Sequence, residues 1–213
     1  MALILIDVDG TLIKGASTES QFICYLLAHG ALGLRQLGAF MLFPLRYAAC
    51  FGRHVFKKNK AHLCGLSPAA VEEKAAVFVD SVLLKRVCIN LRHRLSNHRK
   101  AGDMLALLTG TPEFIARPLA SRLAITHVVG TICEQMQGRF TAGPPLQHPF
   151  GKEKVKAANR LCQQLQTPLS DCVAYADSIH DLALMEQVSR AIAVTPDAAL
   201  QLQANCRGWE IMA

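Results

Sequence analysis

The sequence predicts an α/β protein: a doubly wound parallel sheet interrupted by an all-helical insertion. Three observations carry this. The chain opens on a short apolar run, residues 2–6, that ends abruptly in aspartates, as a strand buried on both faces does. From Asp103 onward, short apolar runs alternate with stretches of helical periodicity, the rhythm of βα units. Between these, residues 17–101 carry Leu, Ala, Lys and Arg at helical spacings with almost no strand signal. The expected division is a core of residues 1–16 and 102–213 with a helical cap, 17–101, over the sheet.

Each element has its own signal. Two or more helices are expected between Thr18 and Ala49. Ser67-Pro68 reads as a cap followed by Pro at the first helical position, and a further helix is expected over about 82–100. Residues 104–108 form a second strand. Thr111-Pro112-Glu113 then opens a helix with Thr111 as its cap. Residues 127–129 are a strand, extended over 131–140 as a hairpin turning near Gly138. A helix over 152–165, a strand over 172–176, a helix over 178–188 and a strand over 191–194 complete the series, and Trp209 is expected against the sheet edge.

Composition narrows the class. A chain of 213 residues, half of them apolar, holds one domain core with an insertion or two small domains. Asp7 and Asp9 break the first apolar run too early for a secretory leader, and the uncharged run 36–45 contains Pro44 and is too short to span a bilayer. The eight cysteines are nowhere closer than ten residues, which excludes CxxC and zinc spacings and suggests reduced core thiols in a cytoplasmic protein. The net charge of +7 is uneven. Residues 20–102 hold thirteen Lys/Arg against three acids, whereas the rest of the chain is mildly acidic.

The chemistry is concentrated at strand ends. Residues i and i+2 of an extended chain point the same way, so Asp7 and Asp9 both face the crevice beyond the first strand, with Gly10 permitting a sharp turn. Two crowded carboxylates call for a cation, a shared proton or both, and Mg²⁺ suits such oxygen ligands. The strand 172–176 ends in "DSIHD", which places Asp177 and Asp181 on one side of a helix start. The strand 104–108 ends in "TGTP", where the Thr109 hydroxyl and the amides from Gly110 onward make an anion cradle. A lysine to neutralise phosphate is available in "GKEKVKAANRLCQQL". Lys154 leads the apolar face with Ala158, Leu161 and Leu165. Lys152 lies about 200° away and is the alternate.

This set resembles the haloacid dehalogenase superfamily of phosphotransferases. "DVDGT" matches its first motif, Thr109 in "LLTGTP" its second, a lysine in "GKEKV" its third and "DSIHD" its fourth, in order across essentially the whole chain. The helical insertion is similar to the cap of the phosphoserine phosphatase branch on a Rossmann-like core. The resemblance implies that Asp7 attacks phosphorus to form an aspartyl-phosphate and that Asp9 acts as general acid, then base. It further implies that Asp7, the backbone carbonyl of Asp9, Asp177 and Asp181 (directly or through water) hold Mg²⁺, while Gly10, Thr109, Gly110 and Lys154 contact phosphate. Two positions depart from the pattern. Ala176 stands where a glycine often precedes the fourth-motif aspartate, and Ala16 stands nine residues past Asp7, where a glutamate holds the phosphoserine amine. Glu19 is close but out of register.

The leading function is a Mg²⁺-dependent phosphomonoesterase acting on a small phosphorylated substrate, with a lipid phosphate as one candidate. A phosphotransferase using the same intermediate is the enzymatic alternative. The third reading is a basic membrane- or nucleic-acid-binding module with a vestigial site. "LRHRLSNHRK" (91–100) lacks interleaved aromatics and reads as a solvated helix face, so no nucleic-acid partner is expected. His180 is expected at a surface or rim. The apolar run "LGAFMLFPL" (37–45), flanked by Arg35 and Arg46, has two readings: the buried core of the cap, or a surface for weak peripheral contact with an anionic bilayer. Pro44 argues against one long helix there.

Overall fold

The computed structural model describes residues 1–213. Its centre is a six-stranded, all-parallel sheet in the order β3-β2-β1-β6-β7-β8. The strands are β1 (Leu3–Ile6), β2 (Met104–Pro112), β3 (His127–Thr131), β6 (Val173–Ala176), β7 (Arg190–Val194) and β8 (Glu210–Met212). A separate hairpin pairs β4 (Gln135–Met136) with β5 (Arg139–Phe140). It turns at Gln137-Gly138, both with positive φ, as a two-residue hairpin loop requires.

Alternation along the strands explains the double winding. Ile4 and Ile6 of β1, Leu105 and Leu107 of β2, Val173 and Tyr175 of β6, and Ile192 and Val194 of β7 belong to one buried cluster. The intervening Leu3 and Leu5, Ala106 and Leu108, Ala174 and Ala176, and Ala191 and Ala193 belong to another. Successive strand side chains point to opposite faces, so each strand feeds both cores. The first face is covered by α1 (Thr18–Ala28), α3 (Pro68–Ser81), α4 (Ile89–Lys100) and α5 (Glu113–Arg122). The second is covered by α6 (Lys152–Gln164), α7 (Leu182–Met185) and α8 (Ala198–Arg207), and its alanines let these helices lie close. Ala176 is one of them.

Several elements differ from the sequence expectation. Strand β2 continues to Pro112, so Thr111 is a strand residue whose hydroxyl turns toward Asp9, and Pro112 takes the cap position of α5 without a side-chain bond. The helix expected over 178–188 is a 3-10 turn, Ile179–Asp181, followed by the four-residue α7. The helix expected over 82–100 is a 3-10 turn, Leu83–Arg86, followed by α4. Beyond 194 the chain adds α8 and the edge strand β8, and Trp209 packs against the second cluster just before that strand.

Helix α2 (Leu34–Phe51) is a single helix that runs through Pro44. The run 37–45 is not a buried core: Phe43 faces inward at 2% exposure, while Met41, Leu42 and Leu45 are exposed. The cysteines also divide. Cys88, Cys133, Cys162 and Cys172 are buried, but Cys24, Cys50 and Cys206 are exposed. Nor is the basic face of α4 merely solvated. Arg94 bonds Glu210 of β8, Arg99 donates to the Leu123 carbonyl (2.8 Å), and the His98 ring bridges Asp103 and the Tyr175 hydroxyl (2.8 Å each).

Candidate active site

The strand order reverses at β1: the chain moves to β2 and β3 on one side and to β6, β7 and β8 on the other. A crevice opens at the carboxyl ends of the strands beside such a switch point. Asp7 follows β1, Thr109 and Gly110 lie in the last part of β2, and Asp177 follows β6, so three adjacent strands deliver them to one edge. A cavity of about 460 Å³ lies there, lined by Asp7, Asp9, Thr109, Gly110, Lys154, Asp177 and Asp181 among others. Val8, between the two aspartates, is buried in the core, which is why Asp7 and Asp9 share one side.

Lys154 organises the inner end. Its Nζ donates to Asp7 Oδ1 and to Asp181 Oδ2, 2.7 Å each. Helix α6 buries Lys154, Ala157, Ala158, Leu161 and Cys162, while Lys152 is exposed to solvent. Burial opposes the ammonium, but the Asp181 and Asp7 carboxylates outweigh it, so Lys154 is held above its usual value and stays charged. Burial pushes the Asp7 carboxyl up, against the pull of Lys154.

Asp9 sits in a hydroxyl cluster that spacing did not reveal. Thr18 donates from both N (2.7 Å) and Oγ1 (2.5 Å) to Asp9 Oδ1. Thr111 Oγ1 stands 3.5 Å from Oδ2 and receives a bond from Thr109 Oγ1 (3.1 Å). Oδ1 is thereby fixed while Oδ2 has only a long contact. Burial raises the Asp9 pKa and the Thr18 hydrogen bonds oppose the rise.

Asp177 accepts from Thr11 Oγ1 (2.9 Å) through Oδ1. Its Oδ2 lies where a side chain on residue 10 would be. A Cβ on Gly10 (φ +83°) would come within 2.0 Å of that oxygen, so only glycine admits both the turn and the carboxylate. Burial, and then the nearby Asp7 charge, push Asp177 up to about 7.

The cavity's carboxylates are hard oxygen donors, the chemistry that suits a hard cation. Asp7, Asp9, Asp177 and Asp181 all line the cavity, where Lys154 pairs with Asp7 and Asp181, and the Asp177 carboxyl is raised by burial first and by the Asp7 charge second. Asp7 and Asp181 each give one oxygen to Lys154, and Asp177 gives one to Thr11, so each of the three keeps a second carboxylate oxygen that could meet a cation directly or through water. That small number suits Mg²⁺, which usually keeps several waters.

The outer cavity is built largely by the insertion. Ser17, Glu19, Ser20, Ile23, Phe40, Phe56, Lys57, Asn59 and Lys60 line it, opposite His148, Phe150 and the rim residue His180. Glu19, out of register with the family pattern by three residues, nevertheless lines the cavity. Ser17 caps α1 and Ala16 points to solvent, so the helix register brings Glu19 inward instead. Glu19 is bonded by Lys60, and its Oε1 is buried without a partner. Thr131 Oγ1 donates to the Gly110 carbonyl (2.6 Å) and so accepts from His148 Nδ1 (2.8 Å), leaving Nε2 as an unpartnered acceptor. Burial and the Lys60, Lys58 and Lys57 charges depress the His148 pKa to about 3, so the ring is neutral. Lys57 Nζ lies 3.8 Å over the Phe150 ring. None of Thr18, Lys60, His148 or Phe150 belongs to a spaced motif. Thr11 alone had a local signal, as the last residue of "DVDGT".

A family model for haloacid dehalogenase-like hydrolases matches residues 4–186, which includes all these strand ends. The chain belongs to the haloacid dehalogenase-like hydrolase family. The hydrolase is 29% identical over 214 residues to a phosphoserine phosphatase of Mycobacterium tuberculosis, covering 96% of this chain and 68% of that one. It is 29% identical over 220 residues to a histidinol-phosphatase of Neisseria meningitidis, covering 99% and 97%. A crystal structure of a Bordetella pertussis protein of unknown function shares the fold with a TM-score of 0.73 at 24% identity, over 100% of the hydrolase and 98% of that chain.

Proposed function

We propose that this hydrolase is a Mg²⁺-dependent phosphomonoesterase working through an aspartyl-phosphate on Asp7. The observation that supports this most is Lys154 Nζ at 2.7 Å from Asp7, inside a cavity that Asp9 and Asp177 also line. The two relatives named as phosphatases point the same way.

A phosphate monoester enters with its oxygens toward Thr109, Gly110 and Lys154, which hold charge as it spreads over the transferring group. An Asp7 oxygen attacks phosphorus as the bond to the ester oxygen breaks. Asp9 gives its proton to the departing oxygen through Oδ2, the oxygen not fixed by Thr18; its raised pKa favours that protonated start. The alcohol leaves. Asp9, now a carboxylate, takes a proton from water as the water oxygen attacks phosphorus, and Asp7 departs as a carboxylate with release of phosphate. Asp7, the Asp9 backbone carbonyl and Asp177 would hold Mg²⁺, with Asp181 supporting directly or through water; the ion would supply the positive charge that lets anionic Asp7 meet an anionic phosphate. Residues 17–101 act as the cap in this reading, because nine of their side chains roof the cavity.

The substrate is a small phosphate ester. Ile23, Phe40 and Phe56 line the outer cavity among Ser17, Glu19, Ser20, Lys57, Asn59 and Lys60, so it offers apolar contact beside polar groups, and an ester with an apolar portion, a lysophospholipid phosphate included, is one candidate. The test is hydrolysis of p-nitrophenyl phosphate with and without Mg²⁺, by wild type and by Asp7→Asn. Turnover that requires Mg²⁺ and falls by several orders of magnitude in the folded variant is expected. Near-normal activity of that variant would sink the mechanism. Phosphorylated alcohol among the products when acceptor alcohols are added would favour the transferase alternative.

A further inference from the structure

We propose that the outward face of α2 docks this protein onto an anionic phospholipid bilayer. A helix on a protein surface ordinarily shows water its polar side. Helix α2 buries one apolar side and shows water another. Leu34, Met41, Leu42 and Leu45 are 89%, 71%, 63% and 81% exposed, whereas Phe43 on the opposite side is buried. At 100° per residue Leu34, Met41 and Leu45 fall within one narrow stripe, with Leu37 and Leu42 at its margins. Arg35 and Arg46 are the charged residues of the helix, and both flank the stripe on one side. An apolar stripe bordered by arginine is the pattern of a helix lying in a lipid interface, its side chains in the acyl boundary and its guanidinium groups among acidic headgroups.

The charge of the surroundings selects the occupant. No Asp or Glu occurs between Glu19 and Glu72, while Arg53, Lys57 and Lys58 continue the basic surface beyond the end of α2. A second copy of the chain laid on this face would bring arginine to arginine with no acid within the segment to pair them. An acidic membrane surface pairs them all. No helix is long and apolar enough to cross a membrane, so the contact is in-plane. The same helix reaches the cavity by another face: Phe40, about 120° from the stripe, lines the cavity, as does the exposed Phe56 just beyond the helix.

The proposal does not depend on the phosphatase reading, and its test keeps the two apart. The full chain is sedimented with phosphatidylcholine vesicles, with and without phosphatidylserine, at low and rising salt. Wild type should pellet with the acidic vesicles only, and release as salt screens the headgroups. A Met41→Glu, Leu45→Glu double variant, which touches neither the cavity nor the core, should bind acidic vesicles at least about tenfold more weakly. Its p-nitrophenyl phosphate hydrolysis and melting temperature should match wild type. Failure to pellet at low salt, pelleting unaffected by the double change, or a wild-type dimer that the change abolishes would each overturn the docking proposal. If neither protein hydrolyses the ester while the vesicle result holds and the melts agree, docking stands and the phosphatase reading falls.

Discussion

Lys154 and Lys152 are two residues apart on one helix and meet different worlds. Lys154 is enclosed by Asp7 and Asp181; Lys152 is in water. Lys154→Ala should lower turnover by a factor of about 10²–10³, the scale of losing one charge-stabilising donor, and should also lower the melting temperature, because two carboxylates are left without their ammonium. Lys152→Ala should leave both within twofold or so of wild type. Steady-state kinetics and thermal melts of the pair decide it, and reversed effects would mean that α6 presents the other lysine.

Asp177 carries a pH prediction at the same scale. Its carboxyl is raised to about 7 by burial and by Asp7, against about 4 in the unfolded chain. Between these values the folded, metal-free protein keeps a proton that the unfolded chain has released. This contribution to stability is complete at low pH and is lost as pH rises to about 7. In chelator, the melting temperature of wild type relative to Asp177→Asn should therefore fall between about pH 5 and about pH 8, and Mg²⁺ should restore wild type at the upper end. A difference that stays flat with pH would show that Asp177 does not hold that proton.

Among the elements, the turn after β6 depends on a residue from a distant helix. Asp197 caps α8 by accepting from Leu200 N (2.8 Å), and the same carboxylate accepts from Ile179 N (2.9 Å) and Ser178 Oγ (3.0 Å). Its own N–H donates to the Asp177 carbonyl (2.8 Å). Asp197→Ala should cost about 1–2 kcal/mol through the lost cap. It should also raise the Mg²⁺ needed for half-maximal activity, since the loop carrying Asp177 loses two bonds, with kcat recovered at saturating Mg²⁺. A lower melting temperature with an unchanged Mg²⁺ curve would reduce Asp197 to a helix cap. The same loop explains why a helix expected over 178–188 is short. Ser178 and Asp181 are drawn into bonds with the loop and with Lys154, and continuous helix begins only at Leu182.

Over the whole molecule, one cluster of 32 buried residues joins the insertion to the sheet. Phe22 and Leu26 of α1, Phe78 of α3 and Leu91 of α4 meet Ile4, Ile6, Leu107 and Tyr175 in it, and Arg94 ties α4 to the last strand. Unfolding should then be a single cooperative transition, because the insertion cannot leave without opening that core. Far-UV circular dichroism reports mainly the helices, and fluorescence of the one tryptophan, Trp209, reports the sheet edge. Their denaturation curves should coincide. A helical transition that precedes the tryptophan transition would show an insertion that unfolds by itself.

The sequence by itself determined the parallel sheet, its βα rhythm and the strand-end motifs, because buried strands announce themselves by local apolar runs and the residues "DVDGT", "TGTP" and "DSIHD" sit at their ends. The face of α6 was legible for the same reason: helical periodicity is a local property, and it separated Lys154 from Lys152. What lay beyond reach depends on contacts across the chain. Thr18 meets Asp9, Lys60 meets Glu19, and Thr131 orients His148, at separations for which no spacing rule exists. The fate of α2 is the clearest case. An apolar run of helical pattern is equally consistent with burial and with exposure. Only the packing of its neighbours, which cover Phe43 and leave Leu34, Met41 and Leu45 bare, decided between them.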